Sequence, residues 1–259
     1  MKDLGNSQTI KSDCEIRVKF RTDRQNMSGN NNRPTRLIRS IPKLTMEQRR
    51  KIITDVQNDS KANFDYFILV ALSSSIATLG LLSDSPAVII GAMVVAPLMS
   101  PILGIGLATT TGEKKLLKDA LLTLLLGTLL SIVISVLLTW INDKLPFISL
   151  HQIPSEVMFR TRSSPVDLTI AIAGGLAAAY VITRPKLSAA LPGVAIATAL
   201  MPPVCTIGIG LALQNWQVAS GSALLFITNA VAIAFASGLV FLARGFSKEQ
   251  RFGDSKIHA

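Results

Sequence analysis

The strongest constraint on this chain is a row of six apolar stretches, at 65–82, 87–108, 117–140, 166–183, 187–213 and 217–243. Each is close to the ~20 residues an α-helix needs to cross a hydrocarbon core. Backbone amides and carbonyls find no water there, so these stretches must satisfy them internally, as a helix does. The sequence therefore predicts an all-α membrane protein with six transmembrane helices.

Basic residues set the expected orientation. The links 83–86 and 214–216 contain no Lys or Arg. Lys114, Lys115 and Lys118 follow the second stretch, Arg184 and Lys186 the fourth, and Arg244, Lys248, Arg251 and Lys256 the sixth. Short loops rich in Lys and Arg stay in the cytoplasm. Both termini are thus expected there, with the chain multi-pass in the cell inner (plasma) membrane. The outer loop carries Lys144, Arg160 and Arg162 against Asp143 and Glu156, and its length weakens the rule.

The expected division is a basic, mostly disordered cytoplasmic tail at 1–44, a short amphipathic helix at 45–63 and a first transmembrane unit at 64–140. An extracytoplasmic loop at 141–165, a second transmembrane unit at 166–243 and a basic cytoplasmic tail at 244–259 complete it. Thr45 and Gln48 have the spacing of a capping box. Ile52, Ile53 and Val56 give that short helix a thin apolar stripe, to rest on the membrane surface or on the bundle.

The net charge of +10 would suggest nucleic acid in a soluble protein. Here 14 of the 26 Lys and Arg residues lie in the first 63, and most others in short loops or the last tail. That pattern fixes orientation, and no nucleic-acid partner is expected. Cys14 and Cys205 allow no disulfide framework or metal cluster. No basic region followed by an apolar run opens the chain, so the first span is the expected insertion signal rather than a cleavable leader. His151 and His258 lie far from any nucleophile, and no Gly-rich phosphate loop with its lysine is present. No enzyme activity, cofactor or metal is expected.

The chain also repeats itself. GIGLA stands at 104–108 and at 208–212. Before each copy comes a helix rich in small residues, SSSIATLG at 73–80 and AIAGGLAAA at 171–179. Pro97 and Pro101 interrupt the first copy and Pro202 and Pro203 the second, after the pairs Leu98-Met99 and Leu200-Met201. Three spans per half is an odd number, so the second half enters the membrane from the opposite side. Two inverted three-helix repeats, with proline-broken second and fifth helices, are therefore the expected architecture, a plan shared by many secondary transporters.

Proline lacks a backbone donor and its ring clashes with the preceding turn, so each helix should bend or break at these sites. Ser100 suits an N-cap and Pro101 the first helical position, so a half-helix can begin there, and at Pro203 in the other half. Half-helix N-termini favour anions or carboxylates. The competing reading is a plain packing kink.

No charged residue sits at a helix centre. Asp119 and Asp167 are the deepest candidates for ion coupling, with pairing to Lys115 or Arg162 as the simpler role. Asn229 is the costliest neutral group to leave unpaired, and it should face the interior near the breaks. Arg160 and Arg162 could draw an anion to an outer vestibule.

The segments SSSIATLGLLSDSPAVIIGAMVVAPLMSPILGIGLATTTG (73–112), FRTRSSPVDL (159–168) and LPGVAIATALMPPVCTIGIGLAL (191–213) closely resemble a bacterial family. It is catalogued as domain of unknown function 389, the uncharacterised hydrophobic domain proteins. The likeness covers about 64–243 and implies a multispanning membrane protein, with no substrate or catalytic residues to carry over.

Two functions are expected candidates. One is a transporter or channel-like permease for a small anion or polar solute, acting as a homo-oligomer in the lipid bilayer. Its site would use Pro97, Ser100, Pro101, Pro202, Pro203 and Thr206, with Asn229 beside them. The alternative is a non-conducting scaffold or sensor whose basic tail binds lipid or a partner.

Overall fold

The computed structural model describes residues 44–145, 153–184 and 190–246. The expectations for the tails 1–43 and 247–259, for His151 and for Lys186 lie outside the described residues. All regular structure described is helical. The helices are α1 (Met46–Asp59), α2 (Phe64–Leu82), α3 (Pro86–Val95), α4 (Met99–Thr111), α5 (Lys114–Lys144), α6 (Ser155–Phe159), α7 (Pro165–Ile182), α8 (Ala190–Ala212) and α9 (Trp216–Ala243).

Five of these, α2, α5, α7, α8 and α9, are long and apolar enough to cross a membrane. The pair α3 and α4 makes a sixth candidate span, bent by 56°. The outward faces of α5 and α9 are those of lipid-facing helices, with Leu125, Leu129, Val133, Ile227, Val231 and Phe235 all exposed.

At α1 the capping box forms as expected. Thr45 N donates to Gln48 Oε1 at 3.1 Å and Gln48 N to Thr45 Oγ1 at 3.4 Å. Ile52 and Val56 are buried in the core cluster, so the apolar stripe rests on the bundle.

Two tight turns share one design. After α2, Ser83 N donates to Leu79 O, Asp84 N to Leu81 O and Ser85 N to Gly80 O. After α8, Leu213 N donates to Ile209 O, Gln214 N to Leu211 O and Asn215 N to Gly210 O. The residue that reverses the chain is left-handed in both, Asp84 at φ 51° and Gln214 at φ 54°. A glycine four residues earlier lets the helices close: a Cβ on Gly80 would lie 3.0 Å from Ile89, and one on Gly210 2.7 Å from Ala219 N. These are the two links without Lys or Arg.

The loop segment that follows α5 is anchored to the first of these turns and to α9. Asp84 accepts hydrogen bonds from Glu156 N at 2.8 Å and from the Ser155 hydroxyl, anchoring the start of α6. Just beyond α6, Arg160 O accepts from Ser222 Oγ of α9 at 2.9 Å.

Small residues bring the spans together. Tyr66 Oη donates to Thr123 O at 3.2 Å while occupying the space beside Gly127, which joins α2 to α5. A Cβ on Gly175 would lie 2.7 Å from Ile233 O, so α7 and α9 approach backbone to backbone.

Candidate functional site

The first proline segment is broken. α3 ends at Val95 and Ala96 is extended at φ −67°, ψ 119°. A proline disfavours the helical region for the residue before it, so Pro97 accounts for the break at Ala96. Ser100 is not the N-cap that the sequence suggested. Leu98 holds that position, in helical geometry and without a side-chain cap, and α4 begins at Met99. Pro101 therefore falls in the first helical turn, where amides have no intrahelical acceptor and its missing N–H costs nothing.

The second proline segment is not broken, contrary to the sequence expectation. α8 runs as one helix from Ala190 to Ala212 with Pro202 and Pro203 inside it. Two features explain the difference. Ala199 stands four residues before Pro203, where Pro97 stands before Pro101, so the chain keeps its amide at that point. In addition, the carbonyl of Ala199, which Pro203 deprives of its helical donor, accepts a hydrogen bond from Asn229 Nδ2 of α9 at 2.9 Å. The Pro202 carbonyl accepts from Thr206 Oγ1 at 2.9 Å.

Pro101, Pro202, Pro203, Thr206 and Asn229 are buried, and Pro97 and Ser100 are half-buried. Asn229 joins the second proline pair through Ala199. The first break meets α8 higher up: Met99 Sδ lies 3.2 Å from where a Cβ on Gly193 would be. Gly193 precedes Pro202 by about 13 Å of helix at the usual rise.

One partner of the break was not foreseen. Ser60, fully buried after α1, donates from its hydroxyl to Ser100 O at 3.1 Å and fills the space beside Gly104. Nothing in the local sequence marks a serine forty residues before its acceptor.

Around the second proline pair lies a set of buried neutral polar groups. Thr78 Oγ1 and Ser135 Oγ are 2.7 Å apart, and Thr78 also donates to Ser74 O at 2.7 Å. Cys205 Sγ lies 3.8 Å from Ser74 O. Asn229 Oδ1 and Ser131 Oγ are buried without a hydrogen-bond partner among the described residues.

The two halves also exchange contacts. Gly106 of α4 packs against Ser237 of α9, and Gly208 of α8 packs against Ser135 of α5. Positions 106 and 208 are 102 apart, as are 135 and 237. Leu98-Met99 and Leu200-Met201 have that same spacing, as do Pro101 and Pro203, whereas the GIGLA copies are 104 apart, two residues out of that register.

Of the two carboxylates considered for ion coupling, Asp167 is taken up in a helix cap. Asp167 accepts from Ser164 N at 3.1 Å and Ser164 Oγ at 2.9 Å, completing the cap of α7. A cleft of about 1080 Å³ is lined by residues that include Asp84, Arg160, Arg162 and Asp167, two cations and two carboxylates. Arg160 pairs with Glu156 at 3.8 Å, so the cleft is no simple anion funnel.

Residues 93–235, more than half of the chain, match the family model described as domain of unknown function (DUF389). The chain is also 31% identical over 216 residues to the uncharacterized protein MJ0678 of Methanocaldococcus jannaschii. That alignment covers 83% of this chain and 62% of the relative, so the chain spans under two thirds of that protein's length. No solved structure matches it. With its membrane-spanning helices and this match across both proline segments, the chain belongs to the DUF389 family.

Proposed function

We propose that the protein is a small transporter or channel-like permease, passing a small anion or polar solute along the interior of the bundle. The observation that carries this reading is Asn229. Its amide nitrogen closes on a carbonyl freed by proline, and its Oδ1 is buried with no donor among the described residues. A polar atom at membrane depth needs a partner, and a hydrogen-bonding solute or water supplies one. Ser131 Oγ is a second such atom. The break at Ala96 adds irregular backbone, which membrane proteins keep where it is buried in protein or lines a cavity.

The halves are two inverted repeats, as the exchanged contacts of Gly106 with Ser237 and Gly208 with Ser135 at one spacing support. Both termini are cytoplasmic in the inner membrane, as the basic links support. The chain acts as a homo-oligomer, in keeping with a thin bundle of six short spans.

Purified protein in liposomes tests the reading against a panel of small anions and neutral polar solutes. Flux is expected for at least one solute, and Asn229→Ala or Ser100→Ala should alter it. No flux across the panel, with cellular function lost on deleting 1–45, would replace transport by the scaffold.

A further inference from the structure

At the ends of α7 and α9 the structure gathers cations that no carboxylate among the described residues pairs with. Arg244, only 7% exposed, follows α9. Its Nε donates to Thr183 Oγ1 at 3.0 Å and a terminal nitrogen to Thr183 O at 3.4 Å. That edge of the guanidinium closes the C-terminus of α7, where a cation opposes the negative helix end.

Arg184 makes no such hydrogen bond to the helix end. It follows Thr183, and its terminal nitrogen donates to Tyr180 Oη at 3.1 Å, while its Nε is buried without a partner. The guanidinium carbons of Arg184 and Arg244 lie 5.4 and 5.3 Å from the centroid of the same Tyr180 ring. Burial, and then the neighbouring Arg184 charge, lowers the Arg244 pKa from its ordinary value. No carboxylate pairs with either cation among the described residues.

Two like charges held side by side, one of them nearly buried, repel each other unless a counter-charge lies between them. Guanidinium forks match phosphate oxygens in geometry and charge. The ring beneath them is 42% exposed, so the pair can be reached from outside. It also stands where two spans end, at the depth of lipid headgroups.

We infer that Arg184 and Arg244 form a binding site for a phosphate-type oxyanion, borne by an anionic phospholipid headgroup or free in solution. The site is independent of the transport reading, and thermal stability rather than flux reports on it.

The test is melting of the full chain in detergent with added phosphatidylglycerol, inorganic phosphate, or diacylglycerol as the phosphate-free control. A saturable rise in Tm is expected with a phosphate-bearing probe and not with diacylglycerol. A response to phosphatidylglycerol alone assigns the lipid headgroup, and a response to inorganic phosphate assigns a free anion. Arg184→Gln, which spares the α7 cap, should raise the half-saturating concentration about tenfold or more, the loss of one charge-assisted contact. Arg244→Lys, which keeps a charge at the cap, should weaken binding in the same direction. No saturable shift with either probe, or a shift that both variants retain unchanged, overturns the site.

Discussion

Asn229 Nδ2 lies 2.9 Å from the carbonyl oxygen of Ala199, the acceptor from which Pro203 removes the helical donor. A side chain thirty residues away in sequence thus supplies what the helix lacks. Asn229→Ala should destabilise the protein by about 1 kcal/mol, the usual scale of interhelical hydrogen bonds in membranes. Pro203→Ala restores an amide to the helix, so Asn229→Ala should cost less in that background. Thermal melts of the four proteins of this cycle check the coupling, and equal costs in both backgrounds would remove it.

Pro97 rather than Pro101 is what interrupts the first segment. Pro97→Ala should reduce the 56° bend between α3 and α4, whereas Pro101→Ala should leave it. Spin labels at the exposed positions 90 and 109 would report the change as a longer distance between them.

The exchanged glycine contacts should behave as a matched pair. A Cβ on Gly106 would come within 2.8 Å of Ala234 O, and one on Gly208 within 2.8 Å of Ile132 O. Backbone cannot yield as a side chain does, so Gly106→Ala and Gly208→Ala should each cost about 1–3 kcal/mol. Gly91→Ala is the control, because nothing lies within 4 Å of a Cβ there.

The anchor of the loop between α5 and α7 should respond to acid. The Glu156 amide first, and the Ser155 hydroxyl next, hold the Asp84 carboxyl below its ordinary range. A carboxylate with a lowered folded pKa contributes stability above its unfolded value, and that contribution fades as pH falls through the lowered one. Hydrogen-exchange protection at Glu156 should therefore survive to about pH 4, near the ordinary aspartate value, and decline below it. Asp84→Asn should weaken that protection at neutral pH, and a pH-independent protection factor would contradict the assignment.

Orientation has its own test. With Cys14 and Cys205 replaced, a cysteine introduced at position 150 should react with an impermeant thiol reagent only from the periplasmic side. One at position 20 should react only from the cytoplasmic side. Labelling of both from one side would end the inverted arrangement.

Much of this was legible because it is local. The periodic apolar stretches gave the spans to within a few residues at most ends, and Thr45 with Gln48 gave the cap of α1. Asn229 could be turned inward from its cost alone. What could not be read depends on distant partners. The continuity of α8 rests on a donor from α9, and Ser100 is partnered by Ser60, neither of which leaves a pattern near the residue concerned. The capping rule likewise proposed Ser100 as a helix start, because it weighs side chains and not the freedom of Pro101 to sit inside the first turn.

The bond from Asn229 also has a mechanical side. A kinked helix that repairs its own hydrogen bonds can flex alone, whereas α8 at Ala199 is stitched to α9. Since Ser237 of α9 packs against Gly106, a bend at Pro202 that kept this bond would carry α9 with it toward the first half, and one that broke it would cost about the 1 kcal/mol of an interhelical hydrogen bond.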